Sequence, residues 1–158
     1  MSKLVWRAPG WASACSLFVL LLPVLAWCAD SVYVGSEVCA ECHQAEYENF
    51  SKFAKKAHSS KSIQIMASDL SDEEIKECFA CHTTGYGKPG GFKSFAETPK
   101  LADAGCEVCH GPGSRHAEEG GDAKLIRHDL TLKDCEVCHN AERVGAFNFK
   151  PLLFGGAH

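Results

Sequence analysis

The pattern Cys-x-x-Cys-His occurs four times in this chain of 158 residues, as Cys39-Ala40-Glu41-Cys42-His43, Cys78-Phe79-Ala80-Cys81-His82, Cys106-Glu107-Val108-Cys109-His110 and Cys135-Glu136-Val137-Cys138-His139. No other feature limits the fold so strongly. The two cysteines of each copy lie nearly one helical turn apart, so both sulfurs can face one porphyrin edge and bond its two vinyl groups. This spacing is the attachment signature of c-type haem. The histidine that follows is within reach of the iron as its proximal ligand. A single copy would carry little weight, whereas four in so short a chain are specific. Paired Cys-x-x-Cys is also zinc-site spacing, but a zinc reading leaves unexplained the histidine after every second cysteine.

The third copy runs on as Gly111-Pro112-Gly113-Ser114-Arg115-His116. A Gly-Pro-Gly turn redirects the chain, and His110 already occupies one face of its own iron. His116 is therefore better placed to cap the iron of a neighbouring haem, which makes this segment a connector between haems.

The chain has 8 histidines, four inside the motifs and four outside: His58, His116, His128 and His158. Four irons need four distal ligands, so the numbers match. A methionine ligand would raise a reduction potential, but Met66 is the only methionine beyond the initiator Met1. Bis-histidine ligation throughout is the simplest reading. It implies low potentials and irons without a vacant site, which pass electrons and bind no substrate. On this count His128 is expected to serve the second haem, and the resting protein to be wholly low-spin.

The N-terminus opens with Lys3 and Arg7 and continues as an uncharged run from Ala8 to Ala29. A basic start, an apolar stretch and small residues at its end read as a secretory signal peptide covering 1–28. Cleavage after Cys28 has Ala26 at the small-residue position; cleavage after Ala29 is the second choice. A retained membrane anchor, against which Pro23 argues, and a lipid attached at Cys28, which Trp27 disfavours, are the other two readings. Membrane association is expected only in those two cases.

Of the 10 cysteines, eight lie in the motifs, and Cys15 and Cys28 lie in the signal segment. None is then left for a disulfide, despite an oxidising, periplasmic destination. The remaining 29–158 fits a single domain. A chain this small buries a limited core of its own, so four covalently bound haems would form the core. Removing Lys3 and Arg7 shifts the charge from −4 to −6, with 14 basic against 20 acidic residues. An acidic protein of this kind does not seek nucleic acid.

The local pattern predicts a mainly α fold with extensive loops. From Ser36 the sequence reads as helical through the first motif and onward, with Tyr47, Phe50, Phe53 and Ala57 at three- and four-residue steps. Ser71-Asp72-Glu73-Glu74 is a capping box that starts the helix of the second motif. Residues 83–100, rich in glycine and proline, read as an ordered loop, whose Tyr86, Phe92 and Phe95 would lie against porphyrin. Thr131 is placed to cap the helix of the fourth motif. Phe147, Phe149, Leu152, Leu153 and Phe154 form an apolar tail that ends in His158.

Tyr33-Val34-Gly35-Ser36, Lys56-Ala57-His58-Ser59, Cys81-His82-Thr83-Thr84-Gly85-Tyr86-Gly87 and the segment from Gly105 to His116 together resemble the tetrahaem cytochrome c-554 family. The resemblance implies haems packed in alternating stacked and near-perpendicular pairs, and periplasmic electron transfer. It also implies that His116 caps the first haem, His58 the fourth and His158 the third. The second haem of the family's namesake lacks a distal protein ligand, a place open to His128 here. Class III tetrahaem cytochromes fit worse, because they set a ligand histidine before the first motif.

Three functions follow as expectations. The first is an electron carrier between redox partner proteins. The second is an enzyme that reduces a small nitrogen species at a five-coordinate haem. All four motifs end in histidine, so the lysine-ligated haem of ammonia-forming nitrite reductases is not among the options. The third is a subunit of an extracellular cytochrome filament, a homo-oligomer in which a terminal histidine ligates the next subunit's haem.

Overall fold

A computed structural model describes residues 30–140. The expected signal segment with Cys15 and Cys28, the apolar tail and His158 lie outside the described residues.

The described chain is a string of short helices joined by long, hydrogen-bonded loops, with no strand among the described residues. In order these are α1 (Ser36–Cys39), α2 (Gln44–Phe53), α3 (Ser60–Met66), α4 (Asp72–His82), α5 (Cys106–His110), α6 (Ser114–Glu118) and α7 (Leu132–Glu136), with single 3-10 turns at Lys55–His58, Ala67–Asp69, Pro99–Leu101 and Ala123–Leu125. The mainly α, loop-rich class predicted from the sequence is the class observed.

The helical run expected from Ser36 onward is broken at the first motif. α1 is only 4 residues long, and His43 leaves the helical region (φ −114°, ψ 51°) to become the N-cap of α2. The break turns His43 away from the axis of the helix that bears Cys39. By contrast, α4 and α5 carry the second and third motifs whole. The cap at Ser71 forms as predicted: Ser71 Oγ accepts from Glu74 N (3.4 Å), and Glu74 Oε2 accepts from Ser71 N (2.9 Å). Thr131 is the N-cap of α7, its backbone N–H and hydroxyl donating to Asp134 Oδ2 at 2.7 and 2.9 Å.

The loop over 83–100 is ordered by its own bonds. Phe92 N donates to Thr84 O, and Thr84 N to Leu101 O, each at 2.9 Å. Its aromatics pack on Phe79, which lies between the two cysteines of the second motif: Tyr86, Phe92 and Phe95 meet that ring edge-on at 5.3, 5.1 and 5.8 Å. Gly85 permits the fold here, with φ +71° and a Tyr33 ring carbon 2.7 Å from where a Cβ would sit.

The buried apolar side chains are Phe50, Ala54, Ile63, Phe92, Leu101 and Ala104, a small set for a chain of this length. Ile65, Val137 and Phe53 lie 78%, 73% and 61% exposed instead. Among the described residues, apolar side chains thus supply only a small core.

Candidate haem centres

The third motif sits closest to the other three. Ser36 Oγ, at the start of α1, accepts from Cys106 N at 3.0 Å. A Cβ on Gly105 would lie 2.4 Å from that hydroxyl, so glycine is what lets α1 and α5 approach. Toward the second motif, Gly105 N donates to Thr84 Oγ1 (2.9 Å) and Ala104 N to Ser59 Oγ (2.9 Å). Toward the fourth, the Arg127 guanidinium donates to the Cys109 carbonyl and to Asp134 Oδ1 of α7.

None of the eight motif cysteines is in a disulfide. The first cysteines of the first and third motifs face one another. The hydrogen bond from the Cys39 thiol, helped by one from Ser36, pulls Cys106 down to about 6 against the effect of burial. The same contact, followed by burial, pushes Cys39 well up. Burial, then the nearby Cys109 charge, raises Cys135.

Three histidines share one orientation device. His82 Nδ1 lies 3.2 Å from Ser59 O, His110 Nδ1 2.7 Å from Arg127 O, and His116 Nδ1 2.9 Å from Asp122 O. A carbonyl can only accept, so each Nδ1 carries the proton and each Nε2 keeps its lone pair. This is how metal-binding histidines are usually held. His58 differs: its Nε2 donates to Ser51 O at 3.0 Å, which leaves Nδ1 as the free acceptor.

One pair of rings faces across a gap suited to iron. The centroids of His43 and His116 are 6.2 Å apart with planes 15° from parallel, too far for van der Waals stacking. A metal–nitrogen bond of about 2 Å and about 1.1 Å from nitrogen to ring centre, for ring bonds of about 1.3–1.4 Å, sum across both sides to roughly 6.3 Å. The separation alone is of the size that two imidazoles held on either side of a metal would need. His139 follows α7, with its N–H bonded to Cys135 O at 2.9 Å. His128 is 62% exposed, its Nε2 3.7 Å from Asp129 Oδ2. Its neighbour Arg127 exchanges backbone contact with His110, donating N–H to His110 O at 3.1 Å. The His128 segment is thus tied to the third and fourth motifs. Among the described residues, no three of His, Cys, Asp and Glu converge on one metal position.

Residues 38–111, from the first motif through the third, match the family model described as cytochrome c554 and c-prime. Cytochrome c-554 of Nitrosomonas europaea is 30% identical over 140 residues, covering 70% of this chain. The chain is homologous to that cytochrome. It spans 59% of the length of that relative. A solved structure of the reduced state of cytochrome c554 from the same organism has the same fold, with a TM-score of 0.56 at 21% identity over 79% of this chain and 83% of that one. The homology implies c-type haem, in a family generally made of electron carriers. Among the described residues of this cytochrome, no helix is long and apolar enough to cross a membrane.

Glu107, Arg127 and the Ser59 hydroxyl went unnoticed in the sequence. Only Glu107 carried a signal, its position between two haem-binding cysteines.

Proposed function

We propose that the protein is a periplasmic tetrahaem electron carrier between redox partner proteins. Its haems would be held by the cysteine pairs Cys39/Cys42, Cys78/Cys81, Cys106/Cys109 and Cys135/Cys138, with His43, His82, His110 and His139 as proximal ligands. The observation that carries the reading is the 6.2 Å separation of His43 and His116, which supports bis-histidine ligation of the first iron. When bound, haem supplies a one-electron iron couple. The chain's part is to fix imidazoles: at His82, His110 and His116 the Nδ1–H bonds to carbonyls would leave Nε2 for the metal and raise its basicity. Two imidazoles on an iron close it to substrate, as a carrier requires. By the family resemblance His58 would serve the fourth haem, through Nδ1 on the hydrogen bonding described, and His158 the third.

A second reading has one observation in its favour. Arg127 is fastened to His110, Cys109 and Asp134, which holds the adjacent His128 beside the third and fourth motifs. His128 would then not be the distal ligand of the second haem, and reduction of a small nitrogen species there is the alternative.

Intact-mass spectrometry of the exported protein should give four haem additions on a chain starting at Ala29 or Asp30. Low-temperature EPR should give only low-spin signals. Fewer additions, or bound zinc, would overturn the tetrahaem reading. A high-spin haem that binds carbon monoxide on reduction would move the enzyme reading ahead.

A further inference from the structure

Glu107 is the one charged side chain among the described residues that is almost wholly buried, at 2% exposed. Burying a carboxylate is costly unless hydrogen bonds replace the lost water. Here both oxygens are in use. Oε1 accepts from Val34 N (3.0 Å) and Gly113 N (2.8 Å), and Oε2 from Gly35 N (2.8 Å) and Val34 N (3.1 Å). These donors are not scattered. Gly35 is the N-cap of α1, which leads into Cys39 and His43, and Gly113 is the N-cap of α6, which carries His116.

We infer that Glu107, a residue of the third haem's motif, is the positioning residue for the axial ligands of the first haem. One oxygen fixes where α1 begins and the other fixes where α6 begins. The distance between His43 and His116 is set by that shared anchor. No other side chain serves as well. An amide of the same shape has a single acceptor oxygen, and its NH2 would meet a backbone N–H donor to donor, so one of the two helix starts must be released. Charge-assisted bonds to three N–H groups also make the joint stiffer than neutral ones would. Neighbouring stitches survive such a change: Ser31 Oγ donates to Pro112 O (2.7 Å), Val32 N to Ser114 Oγ (2.9 Å) and Ser114 N to Val32 O (3.2 Å). A Glu107 variant should therefore fold with the aim of one imidazole loosened.

The inference rests on the proposed sharing of one iron by His43 and His116, so His116→Ala is the control. In purified holoprotein with four haems verified by mass, Glu107→Gln should turn part of one haem in four high-spin, and added imidazole should restore the low-spin signal. A residue that only stabilised the fold would lower the melting temperature and leave the spin count alone. If His116→Ala makes one haem high-spin while Glu107→Gln stays wholly low-spin, the role of Glu107 is overturned and the pairing stands. If His116→Ala changes nothing, the pairing falls and the inference with it. Should Glu107→Gln fail to mature, Glu107→Asp decides. That variant keeps the charge but not the reach, so a partial, imidazole-reversible high-spin fraction is expected, and a wholly low-spin spectrum refutes the inference.

Discussion

Ser59 fastens the second motif to the third, and Ser59→Ala measures how firmly. Its hydroxyl accepts from the buried N–H of Ala104 at 2.9 Å and lies 2.8 Å from the carbonyls of both His82 and Lys56, with one proton to give. Its backbone carbonyl separately receives His82 Nδ1 at 3.2 Å. Alanine keeps that carbonyl and removes the hydroxyl. The Ala104 N–H is left buried without its acceptor, which costs about 1–3 kcal/mol, beyond a net contribution of about 1 kcal/mol for an ordinary hydrogen bond. We take about 2 kcal/mol as the expected loss. At about 4 °C per kcal/mol for a domain of this size, that is a midpoint lowered by about 8 °C. Guanidinium unfolding followed by far-UV circular dichroism should show the loss as a shifted midpoint with an unchanged slope. The number of low-spin haems should not change, because the group that orients His82 is retained. A loss below about 0.5 kcal/mol, the range of an ordinary surface change, would refute the assignment of the hydroxyl as a buried joint.

Ser71→Ala should weaken the start of α4 by about 1 kcal/mol, read as a shift in denaturant midpoint. Glu74 is held below its ordinary 4.5 first by the Ser71 backbone N–H and then by the hydroxyl. Its contribution is therefore complete above pH 4.5 and is lost as acid carries the group through its lowered folded value. Acid titration of helicity should be shallower in Ser71→Ala, and an unchanged profile would contradict this. Gly85→Ala should cost more than Gly87→Ala although both glycines have positive φ (+71° and +74°), because only at Gly85 does the added carbon meet a ring, that of Tyr33 at 2.7 Å. Equal thermal midpoints in the two variants would be the contrary result.

The attachment motifs, the caps at Ser71 and Thr131 and the mainly helical class were legible because each depends on residues within a few positions of one another. What depends on distant partners was not. Residues 106–110 and 135–139 spell the same Cys-Glu-Val-Cys-His, yet Glu107 is buried and Glu136 is exposed. Only the arrival of Val34, Gly35 and Gly113 distinguishes them, and these lie as far as 73 positions away. The tautomers are a second case. His58 and His116 both follow their motifs as unattached histidines, but one is bonded through Nε2 and the other through Nδ1. That difference comes from which carbonyl the loop presents. The break at His43 is a third, since a run of good helix formers continues across it and only the backbone turn reveals it.

These long-range bonds share a direction, and it explains how the described residues, with few buried apolar side chains, keep a defined arrangement. The motifs are numbered by sequence, but in space the third is the hub. The first joins it through Ser36 on Cys106 and through Glu107 on Val34 and Gly35. The second joins it through Ser59 on Ala104 and Thr84 on Gly105, and the fourth through Arg127 on Cys109 and Asp134. Each joint is polar and bonds backbone, so each fixes direction as well as distance, which apolar packing alone does less well. An electron carrier of the kind proposed would need its centres held at set separations, and haems pinned to separate motifs keep those separations only if the motifs themselves are fixed. Hydrogen bonds radiating from residues 103–113 can fix them. It follows that substitutions in this segment should disturb centres other than their own, whereas equivalent substitutions at the fourth motif should stay local.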